Sequence, residues 1–285
     1  MTLLHELGEG VKAFALQSAA YTAAGSALLY VIGYLVLRFH LSVIGIATEL
    51  SVLDERYLFA GAHFMVYLLV AVPNILLLSL PIAAAAWLTA KLVAPSTRAT
   101  WRKAVDEPRR LAGVGILFSI LMIQLVMKQC LLFQNMLLAS QPPSEPAWLA
   151  TLLRDEDNMT LFFSALVSGC AVPLVILFRL WYRGDGPAGA RWLLSFLVTT
   201  QLLLLPVNFG VLIKEKTLAR VTALGDAPLQ QGEQAWLVWE GEAGITFFLR
   251  DQARSRRSLI TLSQAKVTRI EIVGFDRIVP KLFEP

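Results

Sequence analysis

The sequence predicts a membrane-embedded, all-α bundle of about five transmembrane helices, followed by a small all-β domain at the C-terminus. Three observations support this prediction. Of the 285 residues, 56% are hydrophobic and only 16% are charged, whereas charged residues make up about 25% of a typical soluble domain. The apolar residues form long continuous tracts, and after residue 213 this pattern changes to the alternation that is typical of strands. The composition excludes a disordered chain, a disulfide-rich secreted module and an ordinary water-soluble enzyme.

Each of the five apolar tracts is long enough to cross a membrane, because about 20 apolar residues span about 30 Å of hydrocarbon as a helix. Helices packed in water keep one polar face, which these tracts lack. Four of them contain no Asp, Glu, Lys or Arg, and the third contains only Lys128. We expect a helical domain over residues 1–213, with spans at 13–37, 57–90, 111–139, 158–178 and 192–213.

The second tract, residues 57–90, is unusually long and contains Pro73-Asn74 and Pro81. We expect one tilted and kinked helix, because tilt accommodates extra length and proline removes a backbone donor. A tight helical hairpin that turns at Pro73-Asn74 is the alternative. Pro206 and Asn208 place a similar break in the last span.

Charges between the tracts predict how the chain is oriented, since Lys and Arg are retained on the cytoplasmic side. The connections 91–110 and 179–191 are rich in basic residues, whereas 140–158 is acidic. We therefore expect a multi-pass protein of a cell membrane, such as the bacterial inner membrane, with its N-terminus in the cytoplasm and the β domain outside. Lys214, Lys216 and Arg220 oppose this orientation, because they would have to be translocated.

Residues 214–285 show the short alternating segments of an all-β domain. Residues 269–272, for example, alternate between charged and apolar, and 241–244 can form a hairpin turn. Five short strands in about 60 residues indicate an SH3-like or Sm-like barrel. An open antiparallel sheet, packed on the membrane domain or on neighbouring subunits, is the alternative. The expected strands are 220–224, 235–240, 245–250, 259–263 and 267–273.

The sequence lacks the common catalytic and nucleotide-binding motifs, including the P-loop, GxSxG, HExxH and GxGxxG. We therefore expect a protein that is not an enzyme and that holds no cofactor or metal. Cys130 and Cys170 lie within tracts without CxxC spacing, which favours reduced, structural thiols. His40 and His63 have two interpretations. They could be hydrogen-bonded to a backbone carbonyl or water at the membrane interface, or they could together bind haem. No basic surface with interleaved aromatic residues is evident, so nucleic acid is not an expected partner.

Lys128 is the most informative single residue, because an ionisable side chain within a membrane is costly and commonly functional. Gln124, Lys128 and Asn135 share one helix face, since offsets of four and seven residues return to nearly the same angle. Such a polar stripe should face protein or water. The alternative is that Lys128 extends to the outer interface, because Leu111–Met127 already covers about 25 Å at 1.5 Å per residue.

The proline-containing segments form a second candidate. Proline frees a carbonyl on the preceding turn, and interrupted helices lining a cavity coordinate ions or polar solutes in many transporters. The predicted polar intramembrane residues are Lys128, Gln124, Asn135, Asn74 and Asn208, with helix breaks at Pro73, Pro81 and Pro206.

Two functions agree with these features. The first is a homo-oligomeric membrane protein that forms a pore or a polar pathway for a solute or ion, with the β domain controlling assembly or access. The second is a non-catalytic accessory or scaffold subunit that anchors a larger membrane complex. The expected partners are the lipid bilayer and either further copies of the chain or other membrane subunits. Small residues at four-residue spacing in the first span (Ser18, Thr22 and Ser26) favour close helix packing in both cases.

Overall fold

The computed structural model describes residues 2–46, 55–92, 107–133, 156–184, 186–213, 217–224, 227–241, 244–251, 256–267 and 269–277. Within these ranges, five long helices precede an antiparallel sheet, as the sequence predicts. All five are long and apolar enough to cross a membrane. The helices are α1 (Thr2–Ile44), α2 (Glu55–Leu92), α3 (Pro108–Phe133), α4 (Glu156–Arg183) and α5 (Ala188–Leu212).

Helix α5 is the centre of the bundle, because it packs against α1, α3 and α4. Half of the residues in its most apolar 18-residue stretch are buried, compared with less than a quarter of those in the corresponding stretches of α3 and α4. Helix α2 lies at the periphery and packs mainly on α1. The central position of α5 explains why it buries side chains on several faces rather than along one stripe.

Three glycines allow α1 to approach its two neighbours at backbone distance. A Cβ atom on Gly33 would lie 1.6 Å from the carbonyl oxygen of Tyr57 in α2, and one on Gly61 would lie 2.0 Å from a carbonyl oxygen of α1. On the other side, a Cβ on Gly210 of α5 would lie 2.2 Å from the carbonyl oxygen of Val36. Only glycine fits at these crossings, so the three positions set the spacing of α2, α1 and α5.

The prolines lie within continuous helices. Helix α2 runs through Pro73 and Pro81, and α5 runs through Pro206. The chain therefore does not turn back at Pro73-Asn74. With 38 residues, α2 is about 57 Å long at 1.5 Å per residue, which exceeds the thickness of the hydrocarbon layer.

The C-terminal part contains a five-stranded antiparallel sheet and a separate two-stranded ribbon. The order of strands in the sheet is β6-β5-β4-β1-β7, and β2 pairs with β3. A 3₁₀ turn at Gln264–Lys266 precedes the last strand. The strands are β1 (Thr217–Val221), β2 (Ala223–Leu224), β3 (Ala227–Pro228), β4 (Glu233–Gly241), β5 (Gly244–Asp251), β6 (Arg256–Leu262) and β7 (Ile272–Arg277).

The sheet is open, so the prediction of a closed barrel is wrong and the alternative of an open antiparallel sheet is correct. Closure would require β6 to pair with β7, but in the described part of the chain β6 pairs with β5 and β7 pairs with β1. Helices cover one face instead, since Leu218, Trp236 and Phe248 belong to the same core cluster as buried residues of α1 and α5. A second cluster around Val221 and Phe247 fills the opposite face.

The central strands lie close to their predicted positions, whereas the last strand begins later than expected. Residues 269–271 alternate as a strand would but are not assigned to one. They connect β6 at one edge of the sheet with β7 at the other edge. In this connection, Val267 and Ile270 pack against the second cluster. Their alternation therefore reflects packing across the sheet rather than pairing within it.

Candidate functional site

The predicted polar stripe on α3 faces away from the bundle. Gln124 and Lys128 are both exposed, and they lie between Leu121 and Leu131, which are 52% and 65% exposed. Asn135 lies outside the described residues. The outward face of α3 thus carries two polar side chains one turn apart among exposed leucines.

The two predicted asparagines of the proline-containing segments lie on helices that contact each other only slightly. Asn208 is fully buried in α5, and its Nδ2 donates a hydrogen bond to the carbonyl oxygen of Leu204 at 3.0 Å. Pro206 is buried beside it, whereas Pro73 is exposed on α2. Asn74 and Pro81 lie within α2, but their side chains are outside the described set. The structure therefore does not bring the two proline-containing segments into one site.

A second group of polar side chains is buried inside the bundle on α3 and α5. We call Ser119, Gln129, Gln201 and Asn208 the buried polar row. None of the four is more than 3% exposed. Gln201 Nε2 donates to the carbonyl oxygen of Ser119 at 3.4 Å. Ser119 Oγ, both polar side-chain atoms of Gln129, Gln201 Oε1 and Asn208 Oδ1 have no hydrogen-bond partner among the described residues.

A small cavity adjoins two members of the buried polar row, Gln201 and Asn208. Its volume is about 10 Å³, which is close to the space that one water molecule needs. The remaining wall is mostly apolar and includes Met122, Val126 and Leu166. The cavity therefore suits at most a single bound water, and it provides no passage for a solute along the α3–α5 contact.

Sequence patterns identified only one member of the buried polar row. Gln201 and Asn208 are seven residues apart and so share a helix face, a signal that was present in the sequence. Gln129 directly follows Lys128 but lies on a different face of α3, because consecutive helical residues point about 100° apart. Which of these two faces is buried depends on the position of α5, and α3 is too uniformly apolar to show this by itself.

Gln129→Leu is expected to raise the stability of the folded chain by about 1–2 kcal/mol, because it removes two buried polar atoms that have no partner. The volume change is small, so little new strain should arise. Thermal unfolding of the purified protein in detergent measures the effect. Leu131→Gln, the reverse exchange at a site that is 65% exposed, is the matched control and should leave the melting temperature nearly unchanged. A lower melting temperature for Gln129→Leu would show that the amide is satisfied in the folded protein.

The two histidines considered for haem occupy different environments. His40 is buried in α1, with Nδ1 3.3 Å from the carbonyl oxygen of Gly210. His63 is exposed on α2, and its ring meets that of Phe209 edge-on at 5.8 Å between centroids. His40 thus contributes to the close contact of α1 with α5. Within the described residues, no three His, Cys, Asp or Glu side chains are arranged to hold a metal ion.

A larger cleft lies where α2 meets the end of β4, and we call it the α2–β4 cleft. Its volume is about 420 Å³. The Arg56 guanidinium lies 4.9 Å from the centroid of the Trp239 ring and donates a hydrogen bond to the carbonyl oxygen of Glu240. The cleft is lined by Leu37, Arg56, Phe59, Ala60, His63, Trp239 and Glu240. No sequence pattern indicates this cleft, because it joins residues more than 170 positions apart.

Comparison with protein-family models, with curated proteins and with solved structures finds no match to this chain.

Proposed function

We propose that the chain is an integral membrane protein whose copies assemble through α3 and enclose a polar pathway for an ion or small solute. The observation that carries this proposal is the exposure of Gln124 and Lys128 on the outward face of α3. A polar stripe facing lipid is costly, so these side chains are expected to face another protein or water. The β sheet would then control assembly or access.

Membrane insertion is supported by the length and composition of the helices. Each of the five helices contains a stretch that is long and apolar enough to span a bilayer. Large apolar side chains are exposed along these helices, as contact with lipid requires. The basic connections then lie in the cytoplasm and the sheet lies outside, following the retention of Lys and Arg on the cytoplasmic side. In this arrangement α3 and α5 run outwards in parallel.

A pathway between copies fits the structure better than one through a single chain. The α3–α5 contact is closely packed, and its cavity of about 10 Å³ has room for no more than one water. An ion or polar solute that crosses the membrane needs a continuous polar surface. The outward polar stripe of α3, repeated in several subunits, would supply such a surface.

The last strand of the sheet supports assembly outside the helices. Strand β7 pairs on one side with β1 and forms an edge of the sheet. Its side chains Ile272, Val273 and Phe275 are 49%, 48% and 73% exposed. An open strand edge with exposed apolar side chains is typical of a contact surface. We infer that β7 packs against a neighbouring subunit.

Lys128 would place a positive charge near the outer mouth of the pathway. It lies 20 residues after Pro108 in α3, or about 30 Å along the axis at 1.5 Å per residue. It therefore lies within the span Pro108–Leu131, close to the outer end of that span. A ring of such ammonium groups from several subunits favours anions over cations.

Ion flux in proteoliposomes tests the pathway. Wild-type protein should conduct, and Lys128→Glu should shift the ratio of anion to cation permeability by about tenfold, or about 1.4 kcal/mol. Lys91→Glu, at an exposed lysine near the opposite end of the bundle, is the charge-matched control and should leave this ratio nearly unchanged. Absence of flux in the wild-type protein, or equal ratios for wild-type and Lys128→Glu, would contradict the proposal.

Cysteine cross-linking tests assembly through α3 independently of flux. The chain has two cysteines, so Cys130→Ala with Cys170→Ala provides a cysteine-free background. Gln124→Cys in this background should form covalent dimers on mild oxidation in native membranes. Ala165→Cys, at an exposed position on α4, controls for random collisions in the membrane and should remain monomeric. Equal cross-linking at both positions would argue against an interface on α3.

The second candidate is an accessory subunit of a larger membrane complex. It is favoured by the exposed apolar edge of β7, which would serve a different partner as well as another copy. This function predicts a fixed association with unrelated subunits, no ion flux and no covalent dimer through Gln124→Cys. The two experiments above therefore separate the two candidates.

A further inference from the structure

We propose that the α2–β4 cleft binds a phospholipid, with the headgroup phosphate held by Arg56, which the Trp239 ring positions, and an acyl chain lying along α2. The proposal uses the membrane-embedded character of the chain but not the pathway. It is measured in detergent without any flux, so its failure and that of the proposed function are distinguishable.

The position of the cleft matches the level of lipid headgroups. Helix α2 begins at Glu55, and residues Glu55–Leu77 form the segment apolar enough to span a bilayer. Arg56 therefore lies at the first turn of that segment, where the membrane meets water. Trp239 and Glu240, from the end of β4, cover this turn from the side of the sheet. Arginine and tryptophan at a span end are typical of the interfacial layer.

The polar groups of the cleft are suited to a phosphate. The Arg56 guanidinium is held in place by the Trp239 ring and the Glu240 carbonyl oxygen, so little side-chain entropy remains to be lost on binding. The indole N–H of Trp239 is buried and has no hydrogen-bond partner among the described residues. This N–H is not accessible from the cleft, so the Arg56 guanidinium would be the donor to a phosphate oxygen, and arginine matches phosphate geometry particularly well.

The apolar part of the cleft continues along one face of α2. Phe59, His63, Val66 and Val70 follow each other at offsets of three and four residues, so they form one stripe. Phe59, Val66 and Val70 are 68%, 57% and 61% exposed, and His63 is also exposed. A chain attached to a headgroup at Arg56 would lie along this stripe, with the glycerol beside His63.

The size of the cleft is compatible with this ligand. About 420 Å³ lies within the range of about 300–1,000 Å³ that is usual for small-molecule sites. Most of the headgroup and glycerol would fit, and the acyl chains would extend outside the cleft into the lipid.

Native mass spectrometry of the delipidated protein in detergent tests the proposal, with dioleoyl phosphatidylglycerol as the probe. One lipid should bind per chain. Arg56→Gln should weaken binding about tenfold or more, since it removes a charged donor to phosphate. Trp239→Ala removes the ring that positions the guanidinium, and it should weaken binding by about threefold to tenfold.

Two control ligands show which parts of the lipid provide the binding affinity, and one control variant shows whether the effect is specific to Trp239. Dioleoylglycerol has the same chains without phosphate, and glycerol 3-phosphate has the phosphate without chains, so each should bind at least tenfold more weakly than the lipid. Trp192→Ala, at an indole that is 66% exposed near the start of α5, should bind like the wild type. Retention of a single, well-defined elution volume shows that each variant is folded.

Unchanged binding by folded Arg56→Gln would overturn the proposal, and unchanged binding by folded Trp239→Ala would show that the ring does not position the guanidinium for phosphate. Equal affinity for glycerol 3-phosphate would overturn it as well, because the cleft would then be a site for a soluble phosphate ester. Equal affinity for dioleoylglycerol would show that the phosphate is not recognised.

Discussion

Gly33→Ala is expected to disrupt the packing of α1 against α2 and to lower the stability of the bundle by about 3 kcal/mol or more. The added Cβ would lie 1.6 Å from the carbonyl oxygen of Tyr57. Because the obstacle is backbone rather than a flexible side chain, the helices themselves must move apart. Inserting a methyl group into a well-packed contact costs about 1–3 kcal/mol, and an overlap with backbone belongs at or above the upper end of this range.

The same protein provides closely matched controls. A Cβ on Gly25, also in α1, or on Gly113 in α3 would meet nothing within 4 Å. Alanine has a higher helix propensity than glycine by about 1 kcal/mol, so Gly25→Ala and Gly113→Ala should be neutral or slightly stabilising. Gly61→Ala and Gly210→Ala should resemble Gly33→Ala, because their added atoms would also meet backbone oxygens.

Thermal unfolding in detergent, followed by the loss of the monodisperse peak in size-exclusion chromatography, measures these differences. Gly33→Ala should melt well below the wild type, and Gly25→Ala should melt at or above it. Equal melting temperatures for the two variants would mean that α1 and α2 do not cross at backbone distance.

Trp236→Ala is expected to separate the sheet from the helical bundle. Trp236 is 1% exposed and belongs to the core cluster that joins the sheet to α1 and α5. Its ring stacks on Phe248 at 5.6 Å between centroids, and Nε1 donates to Asp276 Oδ2 at 3.0 Å. Truncating a buried Trp to Ala costs about 3–5 kcal/mol, mostly through lost burial and the cavity left behind.

Trp236→Phe separates the contribution of aromatic packing to stability from that of the indole hydrogen bond. Phenylalanine retains the stacking on Phe248 but loses the hydrogen bond to Asp276, so the expected destabilisation is about 1–2 kcal/mol. Trp192→Ala, at a mostly exposed position, should change stability by no more than about 0.5 kcal/mol.

Limited proteolysis in detergent measures the detachment of the sheet. Trp236→Ala should be cleaved much faster than the wild type in the part of the chain after Leu212, while α1 to α5 remain protected. If cleavage rates are equal for Trp236→Ala and the wild type, the contact between sheet and bundle does not depend on this side chain.

Several elements could be predicted from the sequence because their signal is local. The five helices were evident from uniformly apolar tracts, since helix length and hydrophobicity suffice to identify a possible span. The β4–β5 hairpin was similarly evident from alternation around a glycine-containing turn. Barrel closure could not be predicted, because it depends on whether β6 meets β7 or the apolar faces are covered from elsewhere.

The sites were predicted less well than the helices. The spacing of Gln124 and Lys128 predicts one face of α3, but the sequence could not show that both side chains are exposed on the outside of the bundle. The sequence did not identify Gln129 and Ser119, because a single polar residue in an apolar helix does not show whether its side chain points into the bundle. The α2–β4 cleft requires contact between Arg56 and Trp239, which are distant in sequence and have no shared periodicity.

By itself, the sequence determined the kind of solvent for which each segment is suited. Long tracts without charge are suited to lipid, and short alternating segments are suited to strands with one apolar face, because both properties follow from the composition of neighbouring residues. The tertiary structure decided which faces meet. Helix α5 lies at the centre, Gly33 and Gly61 let α1 and α2 touch, and the sheet packs open against the bundle. These choices depend on steric fit between distant segments, where a single Cβ atom determines whether two helices can approach.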